Sequence, residues 1–110
     1  MAVYANLTVD QGSDFNSTID VAGADGTALD LSTYTLRGQI RKSYQSSTAI
    51  DFVTNVGGNT GELDMSLTAS TTAGMKAGRY VYDVEIESSA GVVTRVLEGQ
   101  LEITPRVTRT

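Results

Sequence analysis

The chain has 110 residues with 13 acidic and eight basic side chains, a net charge of −5, no cysteine and no histidine. One domain is expected at this length, with neither a disulfide framework nor thiolate or imidazole metal ligands, and with no imidazole triad. An acidic chain whose basic residues are scattered is a poor match for a phosphate backbone, so no nucleic-acid partner is expected.

No apolar run reaches the length of a membrane span, so no membrane partner is expected. The first residues, Met1-Ala2-Val3-Tyr4-Ala5-Asn6, lack a basic segment followed by an apolar one. A start in a cytoplasm is therefore expected. Thr, Val, Ser and Gly are abundant and Pro occurs once. Such a chain favours pleated strands punctuated by turns.

In chain order, residues 2–10 read as a first strand, with Val3, Ala5, Leu7 and Val9 on one face. Gln11-Gly12-Ser13 is a turn. Phe15, Ser17, Ile19 and Val21 alternate with polar residues in a second strand. The two strands could form a hairpin or sit in different sheets. Gly23-Ala24-Asp25-Gly26-Thr27 is a turn cluster, and Leu29 and Leu31 are expected to close one end of a core. Residues 34–42 form a third strand, with Tyr34, Leu36, Gly38 and Ile40 inward. Gly38 on that face lets a large neighbour come close. Residues 49–53 carry Ile50 and Phe52 on one face. After a Gly/Asn-rich loop, Leu63, Met65 and Leu67 define the next strand. One short helical turn is expected near 70–76, with Ser70 as its cap and Met75 dipping into the core.

A long hairpin follows. Tyr80, Tyr82, Val84 and Ile86 alternate with Arg79, Val81, Asp83, Glu85 and Glu87. After a turn at 88–91, Val93, Leu97, Leu101 and Ile103 share one face, while Thr94, Glu98, Gln100 and Glu102 share the other. Arg95 falls on the apolar side of this pattern. Either a bulge shifts the register there or the side chain snorkels out at the sheet end. Together these segments predict an all-β fold: an antiparallel, Ig-like β-sandwich of about seven strands. The expected division is one domain over 1–105 and a C-terminal tail over 106–110.

The chemistry-bearing residues are few. Asp83, Glu85 and Glu87 with Glu98 and Glu102 form an acidic stripe. Two carboxylates can hydrolyse a glycoside only when held across a cleft, and a solvated sheet face is the simpler reading. Asp25 and Asp30 share a loop that lacks calcium-loop spacing. Arg37, Arg41 and Arg79 are expected on outward faces, paired with acids across strands. Tyr34, Tyr44, Tyr80 and Tyr82 could make a sugar-stacking platform, but three of them occupy core-facing positions. No serine has a base beside it, and Gly57–Gly61 lacks the Lys of a phosphate loop. No cofactor, no metal site and no catalytic residue is expected.

The set Leu36-Arg37-Gly38-Gln39-Ile40-Arg41, Leu63-Asp64-Met65-Ser66-Leu67-Thr68, Gly78-Arg79-Tyr80-Val81-Tyr82-Asp83-Val84, Arg95-Val96-Leu97-Glu98-Gly99 and Pro105-Arg106-Val107-Thr108-Arg109 resembles small β-sandwich proteins and domains of tailed bacteriophages. These are modules of baseplate and tail-fibre-associated proteins, such as the N-terminal domain of a lactococcal-phage upper baseplate protein. The resemblance runs from Tyr34 onward. It implies a non-enzymatic virion structural protein, assembled in a host cytoplasm, with other virion proteins as partners and a homo-oligomeric state. Asp83, Glu85, Glu98, Arg106 and Val107 are the candidate interaction surface. The alternative is a small carbohydrate-binding or adhesin-like module built on the tyrosines.

Overall fold

The computed structural model describes residues 3–23 and 26–107. The strands, in order, are β1 (Val3–Tyr4), β2 (Leu7–Asp10), β3 (Phe15–Asp20), β4 (Thr35–Arg41), β5 (Ile50–Asp51), β6 (Val53–Val56), β7 (Glu62–Leu67), β8 (Gly78–Glu87) and β9 (Val93–Thr104), with one helix, α1 (Ala69–Ala73), before β8. They form two sheets. The larger runs β1-β9-β8-β4-β5, with β2 also beside β9, and the smaller runs β3-β7-β6. The two strands expected at the start of the chain therefore lie in different sheets, the first as β1 and β2 in the larger and the second as β3 in the smaller. The segments β1 and β2 follow one line beside β9, and β5 and β6 are interrupted only by Phe52. Counted as continuous runs, the nine segments among the described residues reduce to the seven that the alternation suggests.

One pairing departs from the antiparallel expectation. Val3 and Tyr4 pair with Leu97 and Glu98, and Leu7–Asp10 pair with Leu101–Thr104, in parallel register. Alternation fixes which way a side chain points. It does not say which strand lies alongside or in which direction.

The core lies between the sheets and is aliphatic at its centre: Val9, Leu31, Ile40, Leu63, Met65, Val84, Leu101 and Ile103 are buried. Phe52 sits where the chain leaves the larger sheet for the smaller. Its N–H still donates to the Gly38 carbonyl oxygen at 2.9 Å. Its ring meets Tyr82 edge-on, with centroids 5.9 Å apart. A Cβ at Gly38 would stand 3.0 Å from Phe52 Cδ2, so the missing side chain makes room for this ring.

In the hairpin, Val84 pairs with Leu97 but Glu85 pairs with Arg95, which leaves Val96 as the extra residue of a bulge. A regular ladder would place the Arg95 guanidinium opposite Ile86, on the inward face, where burying an unpaired charge is costly. The bulge turns it outward and corrects two further expectations. Val93 pairs with Glu87 on the outer face, and Thr94 pairs with Ile86 on the inner one.

The cap of α1 is Thr68, not Ser70. The Thr68 hydroxyl accepts from the Thr71 N–H at 3.2 Å, the usual reach of a cap to the third helical residue. Met75 is buried as expected. Fully buried Thr72 fastens α1 to the turn after β2. Its hydroxyl accepts from Gly12 N–H at 3.0 Å and donates to the Ser13 carbonyl oxygen at 2.8 Å.

Candidate functional surfaces

The outer face of the larger sheet collects the charged residues of β4, β8 and β9. Asp83 and Glu98 are direct ladder partners, an unfavourable placement for two carboxylates on their own. Arg95 relieves it: Nε lies 3.3 Å from Asp83 Oδ2 and Nη1 lies 3.5 Å from Glu98 Oε1. The Val96 bulge is what brings Arg95 there. Partial burial pushes the Asp83 carboxyl above its usual pKa, Arg95 draws it back down, and Glu85 and Glu98 raise it again. One strand away, Arg37 donates to Glu87 at 2.8 Å and to Glu85 at 3.2 Å. The Glu87 hydrogen bond, then the Glu85 one, holds the guanidinium pKa above its usual value.

Asp83, Glu85 and Glu98 thus lie together on one face, each ion-paired. A shallow hollow of about 240 Å3 opens beside Asp83 and Glu98, bordered by Gln39, Arg41, Tyr44 and Arg95. The two carboxylates nearest its floor stand side by side on one guanidinium rather than on opposite walls. The other two predicted residues lie elsewhere. Arg106 follows the end of β9, its N–H donating to the Gln11 side-chain oxygen at 3.4 Å and its guanidinium packed over Gly12. Val107 is 96% exposed.

The tyrosines divide differently from a platform. Tyr80 and Tyr82 are buried and Tyr34 packs against the core. The Tyr80 hydroxyl donates to the Lys76 carbonyl oxygen at 2.8 Å, four residues upstream, and Lys42 Nζ lies 4.7 Å from the Tyr80 ring centroid. The Tyr82 hydroxyl donates to the Ala5 carbonyl oxygen at 2.6 Å, and burial, with Tyr4 as a second cause, pushes its pKa up to about 12. Tyr44 and Tyr4 are the exposed ones.

Of the loop carboxylates weighed for calcium, Asp25 lies outside the described residues. Asp30 accepts the Ser32 N–H at 3.0 Å, which lowers its pKa. Among the described residues no group of three or more carboxylates is placed to hold a metal ion, and no helix is long and apolar enough to cross a membrane.

The sequence reading missed a third surface, at the end of the sandwich where β3 and β8 finish and β4 and β9 begin. An open cleft of about 700 Å3 lies there, walled by Val21, Leu29, Tyr34, Ile86, Val92 and Val96. Val92 at its edge, Val93 on the outer face beside it, and Val3 and Tyr4 on the neighbouring edge strand are large hydrophobic side chains left exposed. The signal in the sequence is the Val92-Val93 pair at the mouth of a turn and Val96 out of step with its neighbours.

No protein-family model matches the chain, and no curated protein matches it.

Proposed function

We propose that the protein is a non-enzymatic structural component of a bacteriophage virion, associated with the tail or baseplate, that acts by assembling with copies of itself and with other virion proteins. The observation that carries this reading is the placement of the exposed apolar side chains. Val3, Tyr4, Val92 and Val93 cluster toward one edge and end of the sandwich, and Val107 stands free beyond β9. Grouped exposed hydrophobics beside a sheet edge are the physical signature of a protein-binding surface rather than of a substrate cleft. The sequence resemblance points the same way. The fold reading that accompanies it is Ig-like. Its supports are the strand order in the two sheets and the Tyr80 hydroxyl bonded to a backbone carbonyl just upstream of β8, which is the arrangement of a tyrosine corner.

The carbohydrate-binding alternative rests on a tyrosine platform, and two of its tyrosines are core residues. Mass spectrometry of purified particles, together with sedimentation of the isolated protein, tests the assembly reading. Presence in particles and a defined oligomer or complex are expected. A protein that is absent from particles and strictly monomeric overturns it.

A further inference from the structure

The outer face of the larger sheet is a grid of long polar side chains with one short apolar side chain set among them. Tyr80 and Tyr82 are buried on the inner face, so Val81 between them points outward. Its ladder partners are Arg41 on β4 and Gln100 on β9. The next row along the sheet reads Gln39, Asp83 and Glu98. A short side chain between long ones leaves the hollow of about 240 Å3, with Val81 as an apolar patch in its lining.

Tyr44 borders the same hollow and is 77% exposed, the most exposed aromatic side chain among the described residues. Its loop is pinned. The Ser46 N–H donates to the Ser43 carbonyl oxygen at 3.1 Å, closing a turn that carries Tyr44. Arg41 Nη1 donates to the Ser46 carbonyl oxygen at 2.6 Å. Arg41 Nη2 donates to Gln39 Oε1 at 3.1 Å, and Gln39 Nε2 donates to Asp51 Oδ1 at 3.0 Å. On the other side, Arg95 holds Asp83 and Glu98. Side chains fixed in this way lose little freedom when a ligand arrives.

These groups select a ligand by its chemistry. Two arginines and two carboxylates border the hollow, so their charges cancel and neither an anion nor a cation is favoured. A wholly apolar ligand would strand the guanidinium and carboxylate groups. The match is a neutral molecule with an apolar face for the Tyr44 ring and Val81, and with neighbouring hydroxyls around its edge. A guanidinium donates in pairs and a carboxylate accepts in pairs, which suits adjacent hydroxyls. A sugar ring has both features. The hollow is smaller than the roughly 300–1,000 Å3 of pockets for drug-sized ligands, which suits one ring at the end of a glycan. We propose that this hollow binds a single neutral sugar ring, stacked on Tyr44 beside Val81, with Gln39, Asp83, Arg95 and Glu98 reaching its hydroxyls. The site is not the platform of inward tyrosines, since Tyr80 and Tyr82 are core residues. It goes beyond the assembly reading and does not depend on it.

Amide NMR titration of the whole chain tests it. The probes are methyl β-glucoside, methyl β-galactoside, N-acetylglucosamine and mannose at millimolar concentrations, with methylguanidinium and acetate as charged comparisons. At least one sugar is expected to produce saturable shifts centred on Tyr44, Val81 and Glu98. Tyr44→Ala alters an exposed side chain and should weaken that binding about tenfold, the scale of one aromatic contact. Val81→Gln keeps Tyr44 but fills the hollow, and should abolish binding. Val107→Ala, beyond the end of β9, should leave it unchanged. Absence of localised shifts with every sugar overturns the proposal, as do shifts with methylguanidinium or acetate alone, or equal sugar binding by Tyr44→Ala and Val81→Gln. If Tyr44→Ala instead abolishes self-association in sedimentation and no sugar binds, the face is an interface between copies: the sugar site is wrong while the assembly reading stands. If a sugar binds through Tyr44 and the protein is strictly monomeric and absent from particles, the assembly reading alone falls.

Discussion

Tyr82 and Ala5 are 77 residues apart in the chain and joined by a 2.6 Å hydrogen bond from the phenol to the backbone carbonyl. The bond ties the middle of β8 to the edge segment between β1 and β2. Gly99, the ladder partner of Tyr82, lies against Ala5. A Cβ on Gly99 would collide with the Ala5 carbonyl oxygen. The parallel edge strand therefore sits where it does because one residue supplies a donor and another withholds a side chain.

Tyr82→Phe removes the donor and keeps the ring. A loss of about 1–2 kcal/mol is expected in chemical denaturation, the cost of leaving a carbonyl with a lost partner. The pH dependence carries the same signature. The folded pKa is raised from 10.0 to about 12, so this contribution is complete below the unfolded value and is lost as pH climbs through the folded one. Stability curves of the two proteins should converge across that alkaline window. Parallel curves would show that Tyr82 is not the group responsible.

Gly99→Ala should be more damaging than Tyr82→Phe. The clash is with backbone, which cannot turn aside as a side chain can. A loss of about 3 kcal/mol or more is expected, exceeding the usual gain from removing a strand glycine. Amide exchange at Ala5, whose N–H donates to the Glu98 carbonyl oxygen at 2.8 Å, should accelerate. Unchanged protection there would refute the close approach.

Arg95→Ala separates electrostatics from stability. Both ion pairs are partly exposed, so the loss should stay under about 1 kcal/mol. The Asp83 carboxyl, already held above its usual pKa with Arg95 pulling against the rise, should move further up in an NMR titration. A raised carboxylate pKa favours the fold below the unfolded value, and that advantage fades as pH rises through the folded one. The variant should therefore be relatively more stable in acid than near neutrality. A downward movement of the Asp83 pKa would contradict the pairing.

Thr72→Val keeps the shape of a fully buried side chain and removes its hydroxyl. Gly12 N–H and the Ser13 carbonyl oxygen would each lose a partner, at a cost of about 1–3 kcal/mol. The measurement is again denaturation, with Thr72→Ser as the comparison. Thr72→Ser should retain more of the stability than Thr72→Val if the hydroxyl matters more than the methyl.

The sequence alone determined the fold class, the strands and nearly every inward face. Alternation reports burial directly wherever one side of a strand meets a core and the other meets solvent. Leu63, Met65, Tyr80, Tyr82 and Val84 were all legible on that ground, as was Met75 after the helical turn. The Arg95 anomaly was legible as an anomaly, since a guanidinium among inward residues demands a break in register. Only the tertiary structure placed that break at Val96 and aimed Arg95 at Asp83 and Glu98. It alone set β1 and β2 parallel to β9, moved the cap from Ser70 to Thr68, and gathered Val21, Leu29, Tyr34, Ile86, Val92 and Val96 around one cleft. These are relations between residues remote in the chain. They are fixed by which edges and ends meet when the sheets close, and local periodicity carries no record of that.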